Sequence, residues 1–158
     1  MSEVVPHERI EKRIHELRGN KVMLDADLAE LYGVVTKALN QAVSRNKERF
    51  PADFMFRLTW DEAKSLRSQI VTLKQGEHFK YPPNAFTEHG ILMLSSVLRS
   101  ERAVQVNIQI MRTFSKMREM MQGYRELIER IQKIERRQDV ESREIWKAIR
   151  LLQSTVMK

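Results

Sequence analysis

Apolar positions along the chain change their period several times, and each change marks an expected element. Ile10, Ile14 and Leu17 recur at helical spacing behind Pro6, so residues 6–17 are predicted as a first helix that Gly19-Asn20 would end. A short apolar run at residues 21–24 predicts a strand. Asp25 stands where an N-cap belongs, ahead of a compact helix over residues 26–31. Tyr32-Gly33-Val34 predicts a turn, and Thr36 the cap of a second short helix reaching about Asn46. Phe54, Phe56 and Leu58 alternate with Met55 and Arg57, the period of a half-buried strand. Thr59 heads a helix to about Ser68, and Thr87 with Gly90 opens another through Leu98. Between them, residues 69–81 form a candidate hairpin around Lys74-Gln75-Gly76-Glu77, closed by Pro82-Pro83-Asn84. From Ser100 onward Gly123 is the only Gly or Pro, which predicts a long helix to the C-terminus.

The segment from Leu24 to Ser44, LDADLAELYGVVTKALNQAVS, has the residue types of a helix-turn-helix. Ala29 is small where the two helices approach, Gly33 permits positive φ at the turn, and Leu28, Val34, Leu39 and Ala42 or Val43 supply the inner face. Leu39 and Val43 point inward, with Ala38 and Ala42 beside the seam. The outward set is Thr36, Lys37, Asn40, Gln41, Ser44 and Arg45, continued by Lys47 and Arg49. These types suit DNA: Asn and Gln pair bidentately with adenine, Arg and Lys suit guanine or phosphate, and Ser and Thr contact either. No acidic residue falls between Glu30 and Glu48, whereas a merely solvated helix usually carries Glu for intrahelical pairing. If residues 69–81 fold as a hairpin beside this helix they form a wing, with Lys74 and Lys80 placed for phosphates.

The C-terminal stretch carries a second pattern. Tyr124, Leu127, Ile131 and Ile134 alternate steps of three and four, and so do Ile145, Ile149, Leu152 and Val156. Gln138 and Ser142 connect the two runs by successive steps of four, a stutter. The stripe predicts homo-oligomerisation through a coiled coil, with a dimer favoured. The expected organisation is a DNA-binding domain over residues 1–121 and a coiled-coil helix over residues 122–158.

Composition narrows the function classes. The 158 residues carry a formal net charge of +7, which favours a polyanionic partner. Residues 111–158 hold 12 of the 28 basic and 7 of the 21 acidic side chains, so most of the excess lies in the last helix. Cys is absent, which excludes a thiol nucleophile and a disulfide framework. The four His are His7, His15, His78 and His89; without Cys they give no metal-ligand spacing, and no metal or cofactor is expected. Ser95 and Ser96 lack a glycine-flanked strand elbow, and no Gly-rich phosphate loop occurs, so no enzyme activity is expected. No apolar run approaches the roughly 20 residues of a membrane span, and the N-terminus has no secretory pattern, so a cytoplasmic protein is expected.

Three separated motifs in order carry a family resemblance: KVMLDADLAELYGVVTKALNQAVSRNKERFPADFMFRLT, LRSQIV, and AFTEHGILMLSSVLRSERAVQVNIQIMRTFSKMRE. Together, over about residues 10–120, they resemble the phage open-reading-frame-6 N-terminal (ORF6N) domain family, related to the KilA-N group. The resemblance implies a compact α+β domain, double-stranded DNA as partner, and a regulatory role in phages or prophages. It supplies no list of base-reading residues, so the candidates stay those of the outward helix face. The expected fold is an α+β helix-turn-helix domain with a small β-sheet, winged if residues 69–81 form a hairpin, followed by the long helix. The rival function is a protein–protein module, such as an antirepressor or assembly factor without direct base readout.

Overall fold

The computed structural model describes residues 5–69 and 80–156. The chain divides into two compact units, Met1–Ser115 and Lys116–Lys158. The first is α+β, with elements in the order α1 (His7–Glu11), β1 (Ile14–Leu17), β2 (Asn20–Leu24), α2 (Asp25–Tyr32), α3 (Thr36–Arg45), β3 (Met55–Arg57), α4 (Trp60–Gln69), β4 (Asn84–Thr87) and α5 (Glu88–Leu98). A helix α6 (Glu101–Val156) then runs across the division between the units. A single 3-10 turn at Lys47–Arg49 follows α3.

The long first helix predicted over residues 6–17 is replaced by the short α1 and by β1. Gly19 is part of a hairpin turn rather than a helix cap. Arg18 (φ 51°) and Gly19 (φ 77°) both take left-handed backbone between the paired residues Leu17 and Asn20, as a two-residue hairpin of type I′ requires. The helical spacing of Ile10, Ile14 and Leu17 therefore marks no common face. Ile10 is buried in α1, Ile14 packs in one core, and Leu17 packs in the other.

Four antiparallel strands form one sheet in the order β1-β2-β4-β3. The central β4 aligns Phe86 with both Met23 and Met55, and Ala85 with both Leu24 and Phe56. Strand alternation then sorts these side chains to two faces. Met23, Phe86 and Met55 join the larger core with residues of α1, α2, α3, α5 and α6, including Ile10, Leu28, Leu39, Ile91 and Ile110. Val22, Leu24, Ala85 and Leu58 form a smaller core with Ala63 and Leu66 of α4. The predicted half-buried strand is half-buried as β3, with Met55 packed against the larger core, Phe56 against the smaller one and Arg57 exposed.

Helix starts are held by local side chains. Thr59 and Glu62 make a reciprocal capping box, with Glu62 N–H donating to Thr59 Oγ1 (3.1 Å) and Thr59 N–H to Glu62 Oε1 (2.9 Å). Thr87 caps α5 by accepting from Gly90 N–H (3.5 Å), while its own hydroxyl donates back to Asp53 O (3.0 Å). In the first unit α6 buries Ala103, Val106, Ile110 and Phe114. Buried Asn107 accepts from the Tyr32 hydroxyl and donates to Ile91 O (2.7 Å), tying α2 and α5 to α6. Burial raises the Tyr32 pKa further above its ordinary value.

Gly90 has a structural role beyond opening α5, because a Cβ there would collide with the Phe54 carbonyl oxygen. The obstacle is backbone and cannot rotate away. Gly90→Ala is expected to cost about 3 kcal/mol through overpacking, which thermal unfolding would record as a Tm lower by roughly 10 °C. An unchanged Tm would show that α5 does not approach β3's leading segment so closely.

Candidate nucleic-acid interface

The candidate surface is built on α2, the turn at Gly33, and α3. Gly33 is left-handed (φ 74°), and its N–H donates to Glu30 O (3.2 Å) while Val34 N–H donates to Ala29 O (2.9 Å). This is the paired bonding of a Schellman cap, which satisfies the last carbonyls of α2 and fixes the exit direction of the chain. Val34 packs on the larger core beside Leu28, Ala29 and Leu31, and Leu39 and Val43 anchor α3 there. Arg102 closes the turn from α6, its Nε donating to Leu31 O (3.2 Å) and lying 3.0 Å from where a Gly33 Cβ would stand. Two cap assignments differ from expectation. Asp25 is the first residue of α2 behind Leu24, and Val35 precedes α3 with no side-chain cap from Thr36.

Asp25 instead joins the elements. It is only 6% exposed, and its Oδ1 accepts from Ala26 N–H (2.8 Å). Its Oδ2 accepts from Asn40 Nδ2 on α3 (3.0 Å) and from Asn84 N–H on β4 (3.2 Å). Asn84 Nδ2 closes the ring by donating to Asn40 Oδ1 (3.1 Å). Both ends of the Asn40 amide are therefore occupied inside the domain, and this residue, expected on the outward face, is half-buried.

The remaining outward residues divide by exposure. Lys37, Gln41, Ser44, Arg45 and Lys47 are exposed, and Thr36 is half-buried. Arg49 is half-buried, with Nη1 donating to Ser96 Oγ on α5 (3.2 Å). Two apolar residues join this surface: Val35, 69% exposed at the start of α3, and Ala38, expected beside the seam but exposed. Their small size concealed them, because period alone does not separate a flanking alanine from a solvent-facing one. The expected hairpin, with Lys74 and His78, falls almost wholly outside the described residues. Lys80 is described and exposed, its Nζ 5.7 Å from the Tyr81 ring, a few residues before the Asn84 that contacts α3.

Asp27 and Glu30, the other acids of α2, are matched by arginines. Arg13 donates to Glu30 (2.8 Å) and Asp27 (3.4 Å), and Arg9 to Glu30 (2.9 Å). The Arg13 contact leads in holding the Glu30 carboxyl below its usual range, whereas burial pushes Asp27 up to about 6 against the pull of Arg13. Across the sheet, Arg18 holds Glu62 at about 2 and stacks its guanidinium 4.3 Å from the Phe56 ring centre.

In the second unit the expected association positions Tyr124, Leu127, Ile131, Ile134, Ile145, Ile149 and Leu152 are all exposed, and Val156 ends α6. Among the described residues, no helix is long and apolar enough to cross a membrane, and no group of three His, Asp or Glu could hold a metal.

These features define a small α+β domain, built on a four-stranded antiparallel sheet and continued by a long helix. Residues 12–97, more than half of the chain, match the ORF6N domain. The protein belongs to the ORF6N domain family and carries a domain of phage type. The match reaches from the approach to β1 into α5 and so takes in the whole sheet with α2 and α3. No curated protein and no solved structure matches the chain.

The ring predicts a contrast between neighbours on α3. Asn40→Ala leaves a buried carboxylate short of a donor and should lower stability by about 1–3 kcal/mol. Gln41→Ala, at an exposed position, should lie within about 0.5 kcal/mol of the parent. Urea unfolding of the two variants measures both, and equal stabilities would mean that the ring does not hold α3.

Proposed function

We propose that the protein is a non-enzymatic, sequence-selective DNA-binding regulator of prophage type, acting in the cytoplasm as a homo-oligomer, a dimer by preference. The observation that carries this reading is the exposed, acid-free face of α3, held on a rigid turn in a domain of phage type. In this reading α2, Gly33 and α3 act as a helix-turn-helix, with α3 in the major groove. Gln41 pairs with an adenine edge, and Arg45 and Lys37 address guanine or phosphate. Val35 and Ala38 offer apolar contact to thymine methyls, a role open to small side chains at a groove surface. Thr36, Ser44 and Lys47 bind the backbone, as does Lys80 from the approach to β4, with Lys74 alongside if its segment forms a wing. Arg49 reaches phosphate on releasing Ser96. Asn40 positions α3 rather than reading a base.

A single module of this kind binds non-specific DNA at about 10⁻⁴–10⁻⁶ M at physiological salt. Joining two copies raises avidity by about 10²–10⁴-fold where both can engage. The exposed stripe on α6 supports such joining, and it also favours the second reading, an antirepressor-like module whose partner is another protein.

Selection of bound sequences from random duplexes tests the proposal by enriching one defined site. Against that site Gln41→Ala should lose about 1–3 kcal/mol and against random DNA little, whereas Arg45→Ala and Lys47→Ala should weaken both. Folded variants that all bind like the parent would remove α3 from the interface.

A further inference from the structure

Counting the polar Gln138 and Ser142 with the apolar positions, the stripe of α6 has the same spacing in both directions. From Tyr124 to Leu152 its steps run three, four, three, four, then four, three, four, three, with Gln138 at the centre. A second copy laid antiparallel about Gln138 therefore meets it layer by layer, with Tyr124 on Leu152, Leu127 on Ile149, Ile131 on Ile145 and Ile134 on the small Ser142 of the other copy. A parallel pair also matches its own pattern, so the flanking positions decide.

Two features beside the stripe favour the antiparallel arrangement. Arg136 and Arg137 lie just before Gln138, and Asp139 and Glu141 just after it. Reversal about the centre brings Arg137 against Glu141 of the second copy, twice by symmetry, whereas a parallel pair stacks the arginine block on itself. Ile128 (36% exposed) and Trp146 (59% exposed) also flank the stripe on one side. Reversal packs each on the other, and a parallel pair leaves Ile128 beside Gly123 and Trp146 beside Glu141.

We infer that the C-terminal helix is an antiparallel pairing surface for a second copy of this chain, centred on Gln138. The inference rests on the proposed self-association and adds its direction. Helices that pair this way enter from opposite ends, which suits two separated DNA sites better than adjacent half-sites.

The absence of cysteine allows a clean test. Glu119→Cys, at an exposed position of α6, is spin-labelled in the full chain, and the label–label distance is measured alongside sedimentation. Antiparallel pairing separates the labels by 38 residues of helix, roughly 60 Å at about 1.5 Å per residue. A parallel pair holds them within about 25 Å, given helix axes about 8–10 Å apart plus two label arms. A dimer with the long distance supports the inference. A dimer with the short distance overturns the direction and leaves self-association standing, and a monomer overturns both.

Discussion

One buried carboxylate sets the position of the surface on which the functional reading depends. Asp25 lies where β2 becomes α2, and it collects donors from α2, α3 and β4. An ion removed from water costs several kcal/mol unless it is fully hydrogen-bonded, and bonds to a charged group contribute about 1.5–3 kcal/mol each. The favourable arrangement is thus the one in which all donors converge, and that requires α3 to lie against the end of β4. Apolar packing alone is less directional. Leu39 and Val43 pull α3 onto the core, while the Asn40–Asn84 contact fixes which face of α3 remains outside.

The rest of the domain supports that placement. Positive φ at Gly33 directs the chain into α3, and Arg102 from α6 holds the turn through Leu31 O. Asn107 links the same helix to Tyr32 and Ile91 inside the core. Asp27 and Glu30 of α2 are compensated by Arg9 and Arg13, which come from the α1 side. The α3 surface therefore presents cations and amides with no carboxylate of its own helix to oppose a phosphate.

Much of this was legible in the residues. Gly33, the inward Leu39 and Val43, the Thr59 and Thr87 caps and the long α6 follow from local rules that tertiary contacts reinforced. The sheet was harder to see. β4 has four residues behind two prolines, too short for alternation to appear, yet it is central because Ala85 and Phe86 fill opposite cores. β1 was hidden by three apolar residues whose helical spacing is coincidental. At the candidate site, type and spacing identified Lys37, Gln41, Ser44 and Arg45 as outward. The engagement of Asn40 depends on Asn84, 44 positions away, and no periodicity reports a contact of that range.

The central claim is that this surface meets the DNA backbone and bases directly, and the salt dependence of binding addresses it most directly. Neutralising each phosphate releases counterions, so the logarithm of affinity falls with the logarithm of salt at a slope of about −0.9 per contact. Titrating the full chain onto a generic duplex should give a slope of about −4 or steeper, matching four or more cationic contacts per bound unit. A slope near zero, or no binding at low salt, would contradict the account and favour a protein partner.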